Sequence, residues 1–187
     1  MARQQKIACL IGPDFEDSEF RVPYDALRKA GYQVDLIGAR AGEHLTGKKG
    51  KEEVTTDTGI ADAQPGSYDA LFIPGGHSPD TLRADDRFVD FVREFDALER
   101  PLVTICHGPQ LLLTAGVITP GRHLTAFKTV QGDLEKAGAR VEDVPVVRDR
   151  HLLTSRNPGD LPAFTAAMLE LLETADNLGR AADSQAW

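Results

Sequence analysis

Cys106 and His107 sit in the run I-C-H-G-P-Q over 105–110, where a short apolar segment gives way to a helical one. A cysteine at a strand-to-helix turn is placed as the nucleophile of an elbow is placed. The partial positive charge and free N–H groups of a helix start favour its thiolate. His107 is the candidate base, although adjacency in sequence does not by itself bring the ring to the sulfur. Gly75 and Gly76 follow another apolar run and allow the backbone to approach without side-chain obstruction. Their N–H groups, with that of His107, form a candidate oxyanion site. The acidic run P-D-F-E-D over 13–17 follows the first apolar segment and supplies a carboxyl to the same cleft. A carboxylate beside a thiolate is costly, so one of the two groups should stay protonated or donate a hydrogen bond. The residues alone leave Asp14, Glu16, Asp17 and Glu19 open for this role, with helix capping as the alternative. Cys9, flanked by apolar residues, reads as a core thiol. His44, His123 and His151 stand singly, and no two histidines have close metal-ligand spacing, so no metal site is expected. The lysines at 48, 49 and 51 read as a solvated loop, with anion contact as the alternative.

The elements that must position these residues follow from hydrophobic patterning. Segment 6–12 is apolar on both faces and followed by turn residues, as buried strands are, and segments 33–38, 70–74 and 102–105 also read as strands, 70–74 the clearest. Segments 18–30, 85–98, 107–115 and 161–174 carry apolar residues at helical spacing, and Gly31 and Gly116 stand where two of them should stop. Segment 54–56 predicts a short edge strand, 124–126 a strand, 133–137 a short helix, and 145–148 with 152–155 a hairpin. Strands alternating with helices predict a three-layer α/β/α sandwich on a mostly parallel sheet with right-handed crossovers. Ligands of such sheets bind outside the carboxyl ends of the strands, where the three chemically unusual segments fall. The reading is one domain over 1–174 and a loose tail over 175–187, in which Trp187 is a candidate for docking on a partner.

Composition narrows the classes. The chain has 187 residues, enough for one substantial core, and 21 basic against 29 acidic residues give a net charge of −8. That balance argues against nucleic-acid binding through broad cationic attraction. Two cysteines cannot build a disulfide scaffold. No apolar run approaches the roughly 20 residues that span a bilayer. The apolar stretch before Pro13 is too short for a signal peptide. The expectation is a cytoplasmic protein without membrane partners.

Four motifs in order, F-E-D-S-E (15–19), P-G-G-H-S-P-D (74–80), I-C-H-G-P-Q (105–110) and T-S-R-N-P-G-D-L (154–161), resemble the PfpI intracellular-protease family. This family lies within the superfamily of the parkinsonism-associated deglycase; the resemblance spans about 6–173 and extends to its bacterial general-stress-protein branch. It implies a flavodoxin-like, class I glutamine-amidotransferase-like fold. It also implies Cys106 as an oxidation-sensitive nucleophile followed by His107, with Glu16 as the glutamate hydrogen-bonded to the sulfur. Gly75, Gly76 and His107 match the oxyanion donors. Asp80 matches an acid, usually glutamate, that orients the histidine from its own or a neighbouring subunit, and Phe127 stands where some relatives carry tyrosine. The implied activity is cofactor-independent cysteine chemistry on reactive dicarbonyls or glycated protein adducts, of glyoxalase or deglycase type, with an intracellular cysteine peptidase label on the same nucleophile. Nucleic acid enters only as a glycated substrate, and a homodimer or higher homo-oligomer is implied. The alternative from a different class is a redox-sensing stress protein or holdase that uses an oxidisable Cys106.

Overall fold

Alternation along short strands divides the core into two halves. In the first strand Ala8 and Leu10 turn to one face while Ile7 and Cys9 turn to the other, because successive side chains of a strand point to opposite sides. The computed structural model describes residues 4–184. In chain order it opens with β1 (Lys6–Leu10), α1 (Asp17–Lys29), β2 (Gln33–Gly38), β3 (His44–Thr46), β4 (Glu53–Thr55) and β5 (Thr58–Gly59). There follow β6 (Ala70–Ile73), α2 (Ser78–Leu82), α3 (Asp86–Ala97), β7 (Leu102–Ile105) and α4 (Pro109–Thr114). The chain closes with β8 (His123–Leu124), α5 (Lys128–Lys136), β9 (Arg140–Val141), β10 (Val146–Asp149), β11 (Leu152–Ser155) and α6 (Leu161–Ser184).

Seven strands form one sheet in the order β10-β11-β7-β6-β1-β2-β5. Every neighbouring pair is parallel except β10–β11. One face carries the helix-borne residues Phe88, Val92, Phe95, Leu111 and Leu134; the other carries Phe20, Leu27, Phe164 and Met168. This is the three-layer α/β/α sandwich with a mostly parallel sheet that the patterning predicts. Each fully buried aromatic or aliphatic side chain contributes roughly 1.5–3 kcal/mol relative to exposure, so the five buried residues of α3, Phe88, Val89, Phe91, Val92 and Phe95, anchor their layer. The chain enters at β1 in the middle of the sheet, winds outward to β2 and β5, then returns to β6 on the opposite side of β1. The switch point between β1 and β6 is where a crevice for ligand opens.

Several elements differ from the sequence reading, each for a local reason. The 54–56 segment does not extend the main sheet: β4 pairs with β3 as a separate antiparallel hairpin, and the sheet edge is β5. The strand expected at 124–126 is β8, which pairs with β9 in a second small sheet. Each has only two residues, too few to show a period. Helix α4 begins at Pro109 rather than 107, so Cys106 and His107 stand in the turn before it. Helix α5 starts at Lys128 rather than 133. The loose tail expected from 175 is instead a continuation of α6 to Ser184. Alanine and leucine favour helix there, and Arg180 pairs with Asp176 at 3.3 Å one turn earlier. Trp187 lies outside the described residues. Among those described, no helix is long and apolar enough to cross a membrane.

Candidate active site

Cys106 follows the last residue of β7 with φ at +63°, a left-handed conformation that costs a side-chain-bearing residue about 1–2 kcal/mol. The turn is held from both sides. The Cys106 N–H donates to Ser155 O of β11 at 3.0 Å, and its carbonyl accepts from Phe127 N at 2.9 Å. Strain retained by flanking hydrogen bonds fixes where the thiol points. The side chain is 5% exposed, reachable but almost dry.

The loops after β1 and β6 are stitched together in front of it. Phe15 bridges Gly76, Glu16 N donates to Gly75 O at 3.0 Å, and His77 N donates to Asp14 O at 2.9 Å. Gly75 is required by clearance: a Cβ there would meet Glu19 Oε2 at 2.2 Å and Cys106 Cβ at 2.8 Å. Gly76 is required by its φ of +83° and by the backbone of Phe15 and Glu16 packed against it.

The carboxyl at the sulfur is Glu19. The assignment of Glu16 to that contact is corrected by the geometry. Glu16 is the N-cap of α1: its Oε2 accepts from Glu19 N at 2.9 Å and from Ser18 Oγ at 2.5 Å, and its Oε1 pairs with Lys49 Nζ at 2.9 Å. Three residues on, Glu19 occupies the position whose carboxylate usually reaches back to the N-cap N–H. Here Gly75 O already takes that N–H, so the Glu19 carboxyl is free to turn inward, where it faces the Cys106 thiol and the Gly75 N–H. Glu19 is fully buried. Burial, and next the charge of Glu16, push its carboxyl up to about 8, against smaller opposing contributions from Cys106, Lys48 and the Gly75 N–H. Burial likewise raises the Cys106 thiol, joined by Glu19, while the N–H groups of His107 and Gly76 act in the opposite direction. The expectation that a helix start would dominate is therefore reversed: the helix begins three residues later, and desolvation wins.

His107 does reach the sulfur, its Nδ1 lying 3.2 Å from Sγ. The ring stacks on Phe127 with centroids 4.8 Å apart, so the position matched to tyrosine serves as a ring platform. Burial, then Lys48 and His77, lower the His107 pKa, and Asp80 only partly offsets them. The ring is thus neutral at neutral pH, with a lone pair to accept a proton. Asp80 lies inside the first turn of α2, whose N-cap is His77. Its Oδ1 is held by Arg83 Nε at 2.8 Å. Among the described residues no carboxylate hydrogen-bonds the His107 ring. The N–H groups facing the sulfur are those of Gly76 and His107, whereas the Gly75 N–H faces Glu19.

The lysine-rich loop does meet anions, those of its own chain. Asp17, almost buried, accepts the N–H groups of Lys49 (2.9 Å), Lys51 (2.8 Å) and Glu52 (2.9 Å). Asp14 is exposed and its N–H donates to Thr46 O at 3.1 Å, tying the first loop to the same hairpin. Cys9 is fully enclosed in β1, and burial pushes its thiol far up. Among the described residues no three His, Cys, Asp or Glu side chains are grouped to hold a metal ion. In the folded protein Cys106 should react with iodoacetamide at least about tenfold faster than Cys9, because Cys106 stands at a reachable turn while Cys9 is fully enclosed, and access governs the rate when burial raises both thiols. Peptide mass spectrometry of timed samples measures this, and equal rates would contradict the site.

The sequence profile of the DJ-1/PfpI family matches residues 5–171. The chain is similar to protein/nucleic acid deglycase 2 of Escherichia coli strain K12, 52% identical over 169 residues that cover 90% of this chain and 98% of that one. It is similar also to general stress protein 18 of Bacillus subtilis strain 168, 46% identical over 171 residues, covering 90% and 98%. Among solved structures, it superimposes with a TM-score of 0.88 on a two-domain protein from Anabaena variabilis with DJ-1/ThiJ/PfpI-like and ferritin-like domains. Identity there is 37%, with 91% of this chain and 48% of the other covered, so this chain spans about half of that protein.

Proposed function

We propose, from the premise that this chain belongs to the DJ-1/PfpI family, that Cys106 is the nucleophile of a reaction on reactive dicarbonyls or on their early adducts with protein side chains. One observation carries the reading: a strained, almost dry thiol stands beside a fully buried carboxyl whose oxygens meet full hydrogen-bond geometry with no group. Burial raises both acids, so at neutral pH the pair is largely protonated, and the minor form with a neutral Glu19 beside a Cys106 thiolate is the reactive arrangement. The name of the Escherichia coli relative points to the same substrate class.

With methylglyoxal, the sulfur adds to the aldehyde carbon and the carbonyl electron pair moves onto oxygen, beside the N–H groups of Gly76 and His107. His107 then takes the proton from that carbon as its electron pair shifts toward the adjacent ketone, and returns it to the ketone carbon, while the proton given up by the thiol ends on the ketone oxygen. The aldehyde carbon is oxidised to a thioester while its neighbour is reduced to an alcohol, so no external oxidant is needed. Water cleaves the thioester, releasing lactate and restoring the thiol. Glyoxal gives glycolate by the same steps. A hydroxyl-bearing adduct on an amine first breaks its C–N bond, the nitrogen taking the hydroxyl proton as the aldehyde re-forms, and the freed aldehyde then follows the same steps.

Purified protein with methylglyoxal and a chelator should form many equivalents of lactate per chain, read by product quantification against time. A stoichiometric change, with Cys106 oxidised once and no further product, would instead favour the redox-sensing reading.

A further inference from the structure

Two residues just outside the thiol pocket are arranged with more care than helix capping needs. Glu16 is 2% exposed, yet its carboxylate is kept ionised. Burial alone would raise it, but Ser18, Lys49 and the Glu19 N–H together outweigh that cost. Lys49 itself is half exposed, and its ammonium is brought to Glu16 Oε1 by a hairpin loop whose backbone is clamped on the buried Asp17. Gly47 admits this clamp, since a Cβ there would lie 2.4 Å from Asp17 Oδ1. Glu16 in turn grips the N–H of Glu19, the residue whose carboxyl faces Cys106.

We propose that Glu16 and Lys49 are positioning residues for the Glu19–Cys106 pair: the buried Glu16 carboxylate makes that pair hold on to its protons, and Lys49, delivered by the hairpin, limits how strongly it does so. The inference rests on Cys106 as the reactive thiol and is independent of the substrate. The charged and titratable groups facing Glu19 are Glu16 on its own helix, Cys106 at the elbow, and Lys48 and Lys49 on the hairpin. His107 touches the thiol and is itself faced by Lys48, His77 and Asp80. Of these, Glu16 is the buried anion on the helix of Glu19, and Lys49 is the lysine whose ammonium pairs with it.

The signs are opposite for the two residues. Removing the negative charge of Glu16 eases ionisation of both Glu19 and Cys106, so the pair should lose its first proton at lower pH. Removing Lys49 leaves Glu16 uncompensated and should delay that loss to higher pH. The test is the pH dependence of Cys106 alkylation by iodoacetamide, followed by peptide mass spectrometry in wild type, Glu16→Gln, Lys49→Met and Lys49→Arg proteins. Glu16→Gln keeps an oxygen to cap Glu19 and should move the midpoint down by about half a unit to one unit. Lys49→Met should move it up by a smaller amount, because its ammonium is partly in water, and Lys49→Arg should restore the wild-type midpoint. A purely structural role would lower stability without opposed shifts. If the wild type has a midpoint that neither Glu16→Gln nor Lys49→Met displaces, this inference is wrong while Cys106 stands as the thiol. If wild-type Cys106 shows no pH-dependent reactivity, both fail. Should the Glu16 variant not fold, the surface variants at Lys49 still decide: an unmoved midpoint in Lys49→Met overturns the proposal.

Discussion

Cys106→Ser should lower lactate formation from methylglyoxal by at least about a thousandfold while leaving the melting temperature close to that of the wild type. Removing a nucleophile abolishes every step that depends on its covalent bond, which is why such losses reach many orders of magnitude. Serine fits the same left-handed turn, because the backbone bonds from Ser155 and Phe127 do not involve the side chain. Its hydroxyl does not ionise beside a buried carboxyl, and the lone pair of His107 is too weak a base to strip it without a further acid to charge the ring. Steady-state kinetics with thermal denaturation of the same sample separates loss of chemistry from loss of fold. Turnover within tenfold of wild type would remove Cys106 from the mechanism.

The second large effect is expected at Glu19. Glu19→Gln keeps the shape but removes the proton that the carboxyl exchanges with the thiol, and turnover should fall by about a hundredfold or more. The same substitution has a signature in stability that follows from the sign of the pKa shift. In the folded chain Glu19 is raised from 4.5 to about 8, so between those pH values the unfolded chain has released a proton that the native chain still binds. Stability of the wild type therefore falls as pH rises through this window, by at most about 1.4 kcal/mol per unit from this group. The Glu19→Gln variant lacks that loss. Its melting temperature relative to wild type should increase from pH 5 to pH 8, and a constant difference across that range would show that Glu19 is not the group that holds the proton.

Why Glu19 was harder to identify than Cys106 is a question of which interactions are local. The elbow is visible in sequence because a buried strand, a thiol and two helix-start residues are contiguous. β7 spans Leu102–Ile105 and β2 spans Gln33–Gly38, where short β-prone segments stand between turn residues. The choice between Glu16 and Glu19 depends instead on Gly75 O, which is far away in sequence and occupies the N-cap N–H. The acidic run shows four candidate carboxyls, but not which one caps the helix and which one turns inward. The clamp on Asp17 was hidden for a similar reason: it uses backbone N–H groups of residues 49–52, and side-chain types do not reveal where those point. The continuation of α6 past Thr174 is not legible in the pattern, because the residues beyond Leu172 bury little and carry no apolar stripe to extend the period. At Gly75 the missing side chain leaves room for Glu19, a clearance set by a residue distant in sequence.

The central claim is that one thiol, Cys106, carries the chemistry. It is tested most directly by partial alkylation: the wild-type protein is treated with iodoacetamide for graded times, and in each sample the residual methylglyoxal turnover is measured beside the labelled fractions of Cys106 and Cys9. The account predicts that turnover falls in proportion to Cys106 labelling and reaches zero when that residue is fully blocked, with Cys9 still unlabelled. Lactate formation that persists in protein whose Cys106 is wholly alkylated would contradict it.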